Sequence, residues 1–183
     1  YGGSGLGYLT FGVVLEEVGR QLTASPLFAS ALVGASAILL GGNESQKQSW
    51  LPRIVDGSEI LTLAVDEGPR HAPSKVALTA EKTESGFRLS GDKTFVPEGM
   101  TATTLVVAAR TSGEGEQGIT LFIVATDAAG VSREQVNTVD SRGYANVHFD
   151  GVEVNQDAIL GDLDNGYDLL DAILDRARAG LAA

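Results

Sequence analysis

Two adjacent carboxylates, Asp66 and Glu67, and the only two histidines, His71 and His148, are the residues whose types could carry acid–base or metal chemistry. Asp66 and Glu67 could form an acid/base pair, but neighbours in an extended strand point to opposite faces and cannot share one substrate atom. His71 falls in a loop and His148 in a strand. Neither has a carboxylate at ligand spacing or belongs to a helical His-x-x-x-His pattern, so no metal site is expected. The chain has no cysteine, which removes disulfides, thiolate catalysis and Cys-ligated metals together. Gly-x-Ser-x-Gly, Walker and dinucleotide-glycine patterns are absent. Gly2-Gly3-Ser4-Gly5 precedes a helix and could hold an anion at its N-terminus, yet no strand leads into it and a plain loop is the better reading. Asp175 and Arg178 stand one turn apart on a helix, a spacing that by itself makes an i,i+3 ion pair.

Composition narrows the partners. A chain of 183 residues with 43% hydrophobic and 20% charged side chains can bury enough apolar surface to fold without a metal or disulfide staple. The net charge of −11 repels phosphate backbones and anionic lipid, so neither nucleic acid nor a membrane is an expected partner. The longest apolar run, Phe28 to Leu40, is broken by Ser30, Gly34 and Ser36. It falls short of the roughly 20 residues that span a bilayer and reads as a buried helix. No basic-then-apolar signal segment opens the chain, and a cytoplasmic location is the expectation. A start at Tyr1 and a stop at Ala183 inside a helical pattern predict a fragment of a longer protein.

The elements that would position these residues fall into three blocks: residues 1–58 helical, 59–160 strand-like and 161–183 helical. Leu6, Leu9, Val13, Val14 and Val18 form an apolar stripe on a helix from about Leu6 to Gln21. Ser25-Pro26 opens the Phe28–Leu40 helix and Gly41-Gly42 stops it. Asn43 to Gln46 reads as a capping-box variant opening a third helix, which ends at Gly57 and which Pro52 should bend or end early. From Ile60 the period becomes two. Strands are expected at Ile60–Val65, Val76–Lys82, Phe87–Ser90, Thr103–Arg110, Ile119–Ala125, Val131–Val136, Ala145–Phe149 and Val152–Val154, with Asp150-Gly151 as a hairpin turn. Many short strands with no intervening helix point to an antiparallel barrel or sandwich. From about Gly166, Leu169, Leu170, Ile173, Leu174 and Arg178 return to helical register.

Taken in order, several segments resemble the acyl-CoA dehydrogenase family. They are Tyr1-Gly2-Gly3-Ser4-Gly5-Leu6-Gly7, Glu16-Glu17, Gln46-Lys47 to Leu51-Pro52, Gly57, Leu89 to Lys93, Leu105 to Arg110, Gly118 to Val124, Val147 to Val154, Leu160-Gly161, Gly166-Tyr167 and Leu174 to Arg178. No single segment is specific, but the ordered set covers essentially the whole chain. The resemblance implies an α+β fold: the end of an N-terminal helical domain (1–58), an antiparallel β-barrel-like middle domain (59–160) and the first helix of a C-terminal bundle (161–183). It implies FAD bound between barrel and bundle, an acyl-CoA thioester as substrate in fatty-acid or related lipid catabolism, electron-transfer flavoprotein as acceptor, and a homo- or hetero-oligomer.

Carried over position by position, the resemblance assigns Leu63, Val65, Asp66 and Ala72 to one flavin-contacting stretch and Phe95, Val96 and Pro97 to a second. Ala72, Asp175 and Arg178 would lie near the acyl-CoA. The family pattern has Thr, Ser and Thr where this chain has Asp66, Ala72 and Pro97, so three hydroxyls are lost and one carboxylate is gained. Ala177 occupies the place where a minority of the family carries its catalytic glutamate, so no catalytic base is expected in this chain and one is expected beyond Ala183. Three readings follow: an FAD-dependent acyl-CoA dehydrogenase, a dehydrogenase-like partner subunit without its own flavin, or a non-catalytic interaction module on the same fold.

Overall fold

The computed structural model describes residues 1–140 and 142–183. Among the described residues there are four α-helices and eight strands, helices first, then strands, then a final helix. They are α1 (Tyr8–Arg20), α2 (Ala35–Gly41), α3 (Glu44–Asp56), β1 (Leu61–Ala64), β2 (Thr79–Lys82), β3 (Gly86–Val96), β4 (Thr104–Arg110), β5 (Ile119–Ala125), β6 (Val131–Gln135), β7 (Ala145–Asn155), β8 (Ile159–Leu160) and α4 (Tyr167–Leu181). The architecture is α+β. No helix among the described residues is long and apolar enough to cross a membrane.

The strands form one sheet in the order β6-β7-β3-β2-β4-β5-β8, with β1 added beside β4. Most pairs are antiparallel, as expected, but β1 runs parallel to β4 from Leu61↔Thr104 to Ala64↔Val107. A period of two tells which face a residue takes, not which neighbour its strand meets or in which direction. That alternation sorts two cores. On β4, Leu105, Val107 and Ala109 enter one cluster with Phe87, Leu89 and Phe149, while Val106 and Ala108 enter the other with Ile38, Leu170 and Ile173. β4 is therefore buried on both faces, and the helices cover only one of them.

The strand pair expected around Asp150-Gly151 is instead one continuous strand, β7. Leu89 faces Val152 and Gly91 faces Phe149, so Asp150 and Gly151 together oppose Ser90 alone. This is a β-bulge, with Gly151 at φ +63° supplying the left-handed conformation such a bulge demands. Local composition is the same for a bulge and a two-residue hairpin, and here the long β3 partner decides between them.

Three features of the helical blocks go beyond what the spacing settled. The Phe28–Leu40 helix begins instead as a π-helical segment, Leu27–Gly34, and only then becomes α2. In that segment Ser30 Oγ accepts the Leu61 N–H at 3.2 Å, satisfying the first donor of β1. Gly34 lets the backbones touch, since a Cβ there would sit 2.7 Å from the Leu61 side chain. The α1 stripe faces outward: Leu9 is 88% exposed and Val13 58%, and Leu15 is the helix's only buried residue. Periodicity shows that a face is apolar but not what covers it. Pro52 neither ends nor shortens α3, which continues to Asp56 and stops at left-handed Gly57. The expected capping box is present, Asn43 Oδ1 accepting the Gln46 N–H at 2.9 Å and Gln46 Oε1 accepting the Asn43 N–H at 3.0 Å.

Replacing Gly151 by valine brings Cβ only into ordinary contact with the Arg88 side chain, 3.7 Å away, but forces a β-branched residue into a left-handed backbone. The variant should lose about 1–2 kcal/mol of stability in urea unfolding. An unchanged midpoint would show that β7 does not need the bulge.

Candidate functional site

The site is built where β1 ends and β3 bends. Beyond Ala64 the chain leaves the sheet as a loop, and Lys93 on β3 reaches under it. The Lys93 side chain has no solvent exposure; its Nζ donates to Glu67 Oε1 at 2.6 Å and to the Val65 carbonyl at 2.9 Å. Burial pushes the ammonium below its usual range, and the Glu67 carboxylate pulls it partly back. Glu67 also accepts the N–H groups of Ala77 at 2.7 Å and Leu78 at 3.0 Å. One buried ion pair thus ties β3, the loop after β1 and the approach to β2 together.

The expectation that Asp66 and Glu67 diverge holds. Asp66 turns the other way, its Oδ1 accepting the Ala72 N–H at 3.0 Å and its Oδ2 lying 2.9 Å from His71 Nδ1. The Asp66 carbonyl accepts the Thr94 N–H at 2.7 Å. Both histidines therefore have carboxylate partners, contrary to the sequence reading: His71 has Asp66, and His148 Nδ1 lies 2.7 Å from Asp92 Oδ1 across the β3–β7 pair. Spacing along the chain could not reveal the second, which is a cross-strand contact. No cluster of three or more metal-ligating residues exists among the described residues.

At the end of β3 the register slips again, Lys93 facing Val147 and Val96 facing Ala145. Phe95 there adopts φ +54°, a conformation that costs a bulky side chain energy and persists only where neighbours impose it. Asn146 Oδ1 accepts the Phe95 N–H at 3.2 Å, and the ring stacks on Tyr144 with centroids 4.4 Å apart. The bulge turns the aromatic ring out of the sheet and leaves it half exposed. Burial, with repulsion from Asp140, raises the Tyr144 phenol above its usual range.

A cavity of about 310 Å³ opens against these segments. Leu63, Val65, Asp66, Phe95, Val96 and Pro97, all singled out from the sequence, line it together. Ala72 does not, and neither do Asp175 and Arg178. Those two form an exposed ion pair at 2.7 Å, with Asp171 as a second partner of Arg178 at 3.1 Å. Sequence reasoning missed Thr62, His71, Thr94 and Tyr144 in the lining. Of these, only His71 carried a usable signal, as a titratable residue within the stretch already selected. Thr62 Oγ1 donates to the Pro97 carbonyl at 2.6 Å, fixing the segment that lacks its own N–H at residue 97.

Removing one partner of a buried ion pair leaves an uncompensated charge. Glu67→Ala should therefore cost about 3–5 kcal/mol in denaturant unfolding. Lys93→Met should cost less, because Glu67 keeps two backbone donors. Equal losses would contradict this asymmetry.

Comparison with known proteins places the chain. Two family models match it: Acyl-CoA dehydrogenase, N-terminal domain, over residues 1–58, and Acyl-CoA dehydrogenase, middle domain, over residues 67–152. It is 32% identical over 191 residues to a mitochondrial isovaleryl-CoA dehydrogenase of Solanum tuberosum, covering 100% of this chain and 46% of that protein. It is 30% identical to a 3-(aryl)acrylate reductase of Clostridium sporogenes, covering all of this chain and 50% of that protein. The crystal structure of an acyl-CoA dehydrogenase from Geobacillus kaustophilus superposes with a TM-score of 0.89 at 28% identity, over 100% of this chain and 50% of that one. The chain thus spans about half the length of the relatives it matches. Helical block, sheet and final helix all correspond, and the chain belongs to the acyl-CoA dehydrogenase family.

Proposed function

We propose that this chain is the N-terminal and middle part of an FAD-dependent acyl-CoA dehydrogenase, removing hydrogen from the α and β carbons of an acyl-CoA thioester in lipid catabolism. The observation that carries this reading is the wall formed at Phe95: an aromatic ring turned out by a strained backbone onto a cavity whose apolar lining includes Leu63, Val65 and Val96. A flat aromatic surface with an apolar floor and a polar edge at Asp66, His71 and Thr94 fits a planar heteroaromatic ring in kind. When bound, the flavin would supply the two-electron acceptor for the hydrogen leaving the β carbon.

The chain's own residues position and shield. Phe95, backed by Tyr144, forms the aromatic wall, and Leu63, Val65 and Val96 exclude water. Thr62 and the Lys93–Glu67 pair hold the two lining segments in place. Ala177 also lines the cavity and has no proton-accepting group, which supports a base supplied by sequence beyond Ala183. The domain division at 58 and 160, the oligomer, electron-transfer flavoprotein as acceptor and a cytoplasmic location belong to the same proposal. The relatives named above carry different names, an isovaleryl-CoA dehydrogenase and a 3-(aryl)acrylate reductase, so the proposed substrate stays at the level of the CoA thioester.

One second reading has its own observation. Asp66 spends its carboxylate within its own loop, on His71 and Ala72, and Pro97 offers neither hydroxyl nor N–H. That favours a partner subunit with no flavin of its own. The full-length protein purified alone should carry one FAD per chain and reduce it on addition of an acyl-CoA, read at the flavin absorbance band. A flavin-free protein that gains flavin only as the triple variant Asp66→Thr, Ala72→Ser, Pro97→Thr would establish the second reading instead.

A further inference from the structure

We infer that His71, held by Asp66, is a binding residue of the cavity that presents its imidazole Nε2 to the polar edge of the bound ring; this rests on the flavin reading above. Asp66 engages Nδ1 through both carboxylate oxygens, at 2.9 and 3.2 Å. A carboxylate only accepts, so Nδ1 carries the hydrogen and Nε2 is the ring's remaining functional atom. Among the described residues Nε2 has no protein partner. His71 also lines both the 310 Å³ cavity and a neighbouring one of about 620 Å³, in each case beside Asp66, Thr94 and Phe95. The imidazole therefore sits at the junction of two spaces that share the Phe95 wall.

The frame behind the ring is rigid. Asp66 is fixed by the Ala72 and Thr94 N–H groups, and the loop around it by the buried Lys93–Glu67 pair. Closing the loop needs no imidazole, since the Asp66–Ala72 bond already spans it. What the imidazole adds is a further polar atom at the edge of the cavity. With Nδ1 donating to Asp66, Nε2 is left to accept a hydrogen bond from an N–H of a ring held against Phe95. The other charged group on the loop at this junction is Arg70. β3 contributes Thr94 and Phe95, β7 contributes Asn146, and the segment before β7 contributes the Tyr144 phenol. Glu67 is turned away onto Lys93.

The test uses the full-length protein in its native assembly, titrated with FAD and followed by flavin absorbance, for wild type, His71→Leu and His71→Gln. The expected result is FAD uptake by the wild type and about 2- to 10-fold weaker binding by His71→Leu. His71→Gln, whose amide oxygen keeps an acceptor at this edge, should recover most of that loss. Equal affinities in all three proteins overturn the inference while leaving the flavin reading intact. No uptake by the wild type defeats the flavin reading, and this inference with it. If His71→Leu fails to fold, His71→Ala takes its place: weaker binding supports the inference and equal binding overturns it.

Discussion

A lysine with no solvent exposure is costly to bury, and this fold accepts that cost at one point, Lys93. What is gained is connection. Val65, Glu67, Ala77 and Leu78 belong to the stretch that leaves β1 and approaches β2, and all are satisfied through one ammonium–carboxylate pair. That stretch has little regular structure of its own to hold it. Without the pair, the stretch carrying Asp66 and His71 would be attached through Thr94 at one end and through Arg110, which donates to the Ser74 and Val76 carbonyls, at the other, and the cavity wall would lose one of its ties beside Phe95.

The second constraint is register. Two bulges in β3 and β7 each place an extra residue against its partner strand, one at Asp150-Gly151 and one at Thr94-Phe95. The first uses glycine and costs little. The second uses phenylalanine at positive φ, so strain is kept where the ring must leave the sheet. Strain, burial of charge and cavity lining thus coincide within a few residues of β3.

Much of the fold was legible because its signals are local. The β4 and β5 boundaries follow from β-branched runs, the α3 start from Asn43 and Gln46, and its end from Gly57. The parallel β1–β4 pair and the bulge at Gly151 were not, because each depends on a partner far along the chain. The site divides in the same way. The segments 63–66 and 95–97 could be picked out by family resemblance, and the structure brings them to one cavity. The Lys93–Glu67 pair, the Asp66–His71 contact and the Thr62 support of Pro97 are contacts in space with no spacing rule to announce them. Asp175 and Arg178 gave the opposite case, a local pattern that remains an exposed ion pair away from that cavity.

The claim that one buried pair organises the site is most directly tested by amide hydrogen exchange on wild type and Glu67→Ala. The account predicts a loss of protection at Ala77, Leu78 and Thr94, whose N–H groups bond to Glu67 and Asp66, that exceeds the loss along the β4–β5 pair, where Val106 faces Ile123 and Val107 faces Phe122. Unchanged exchange at those three amides, or an equal loss of protection across β4 and β5, would contradict it.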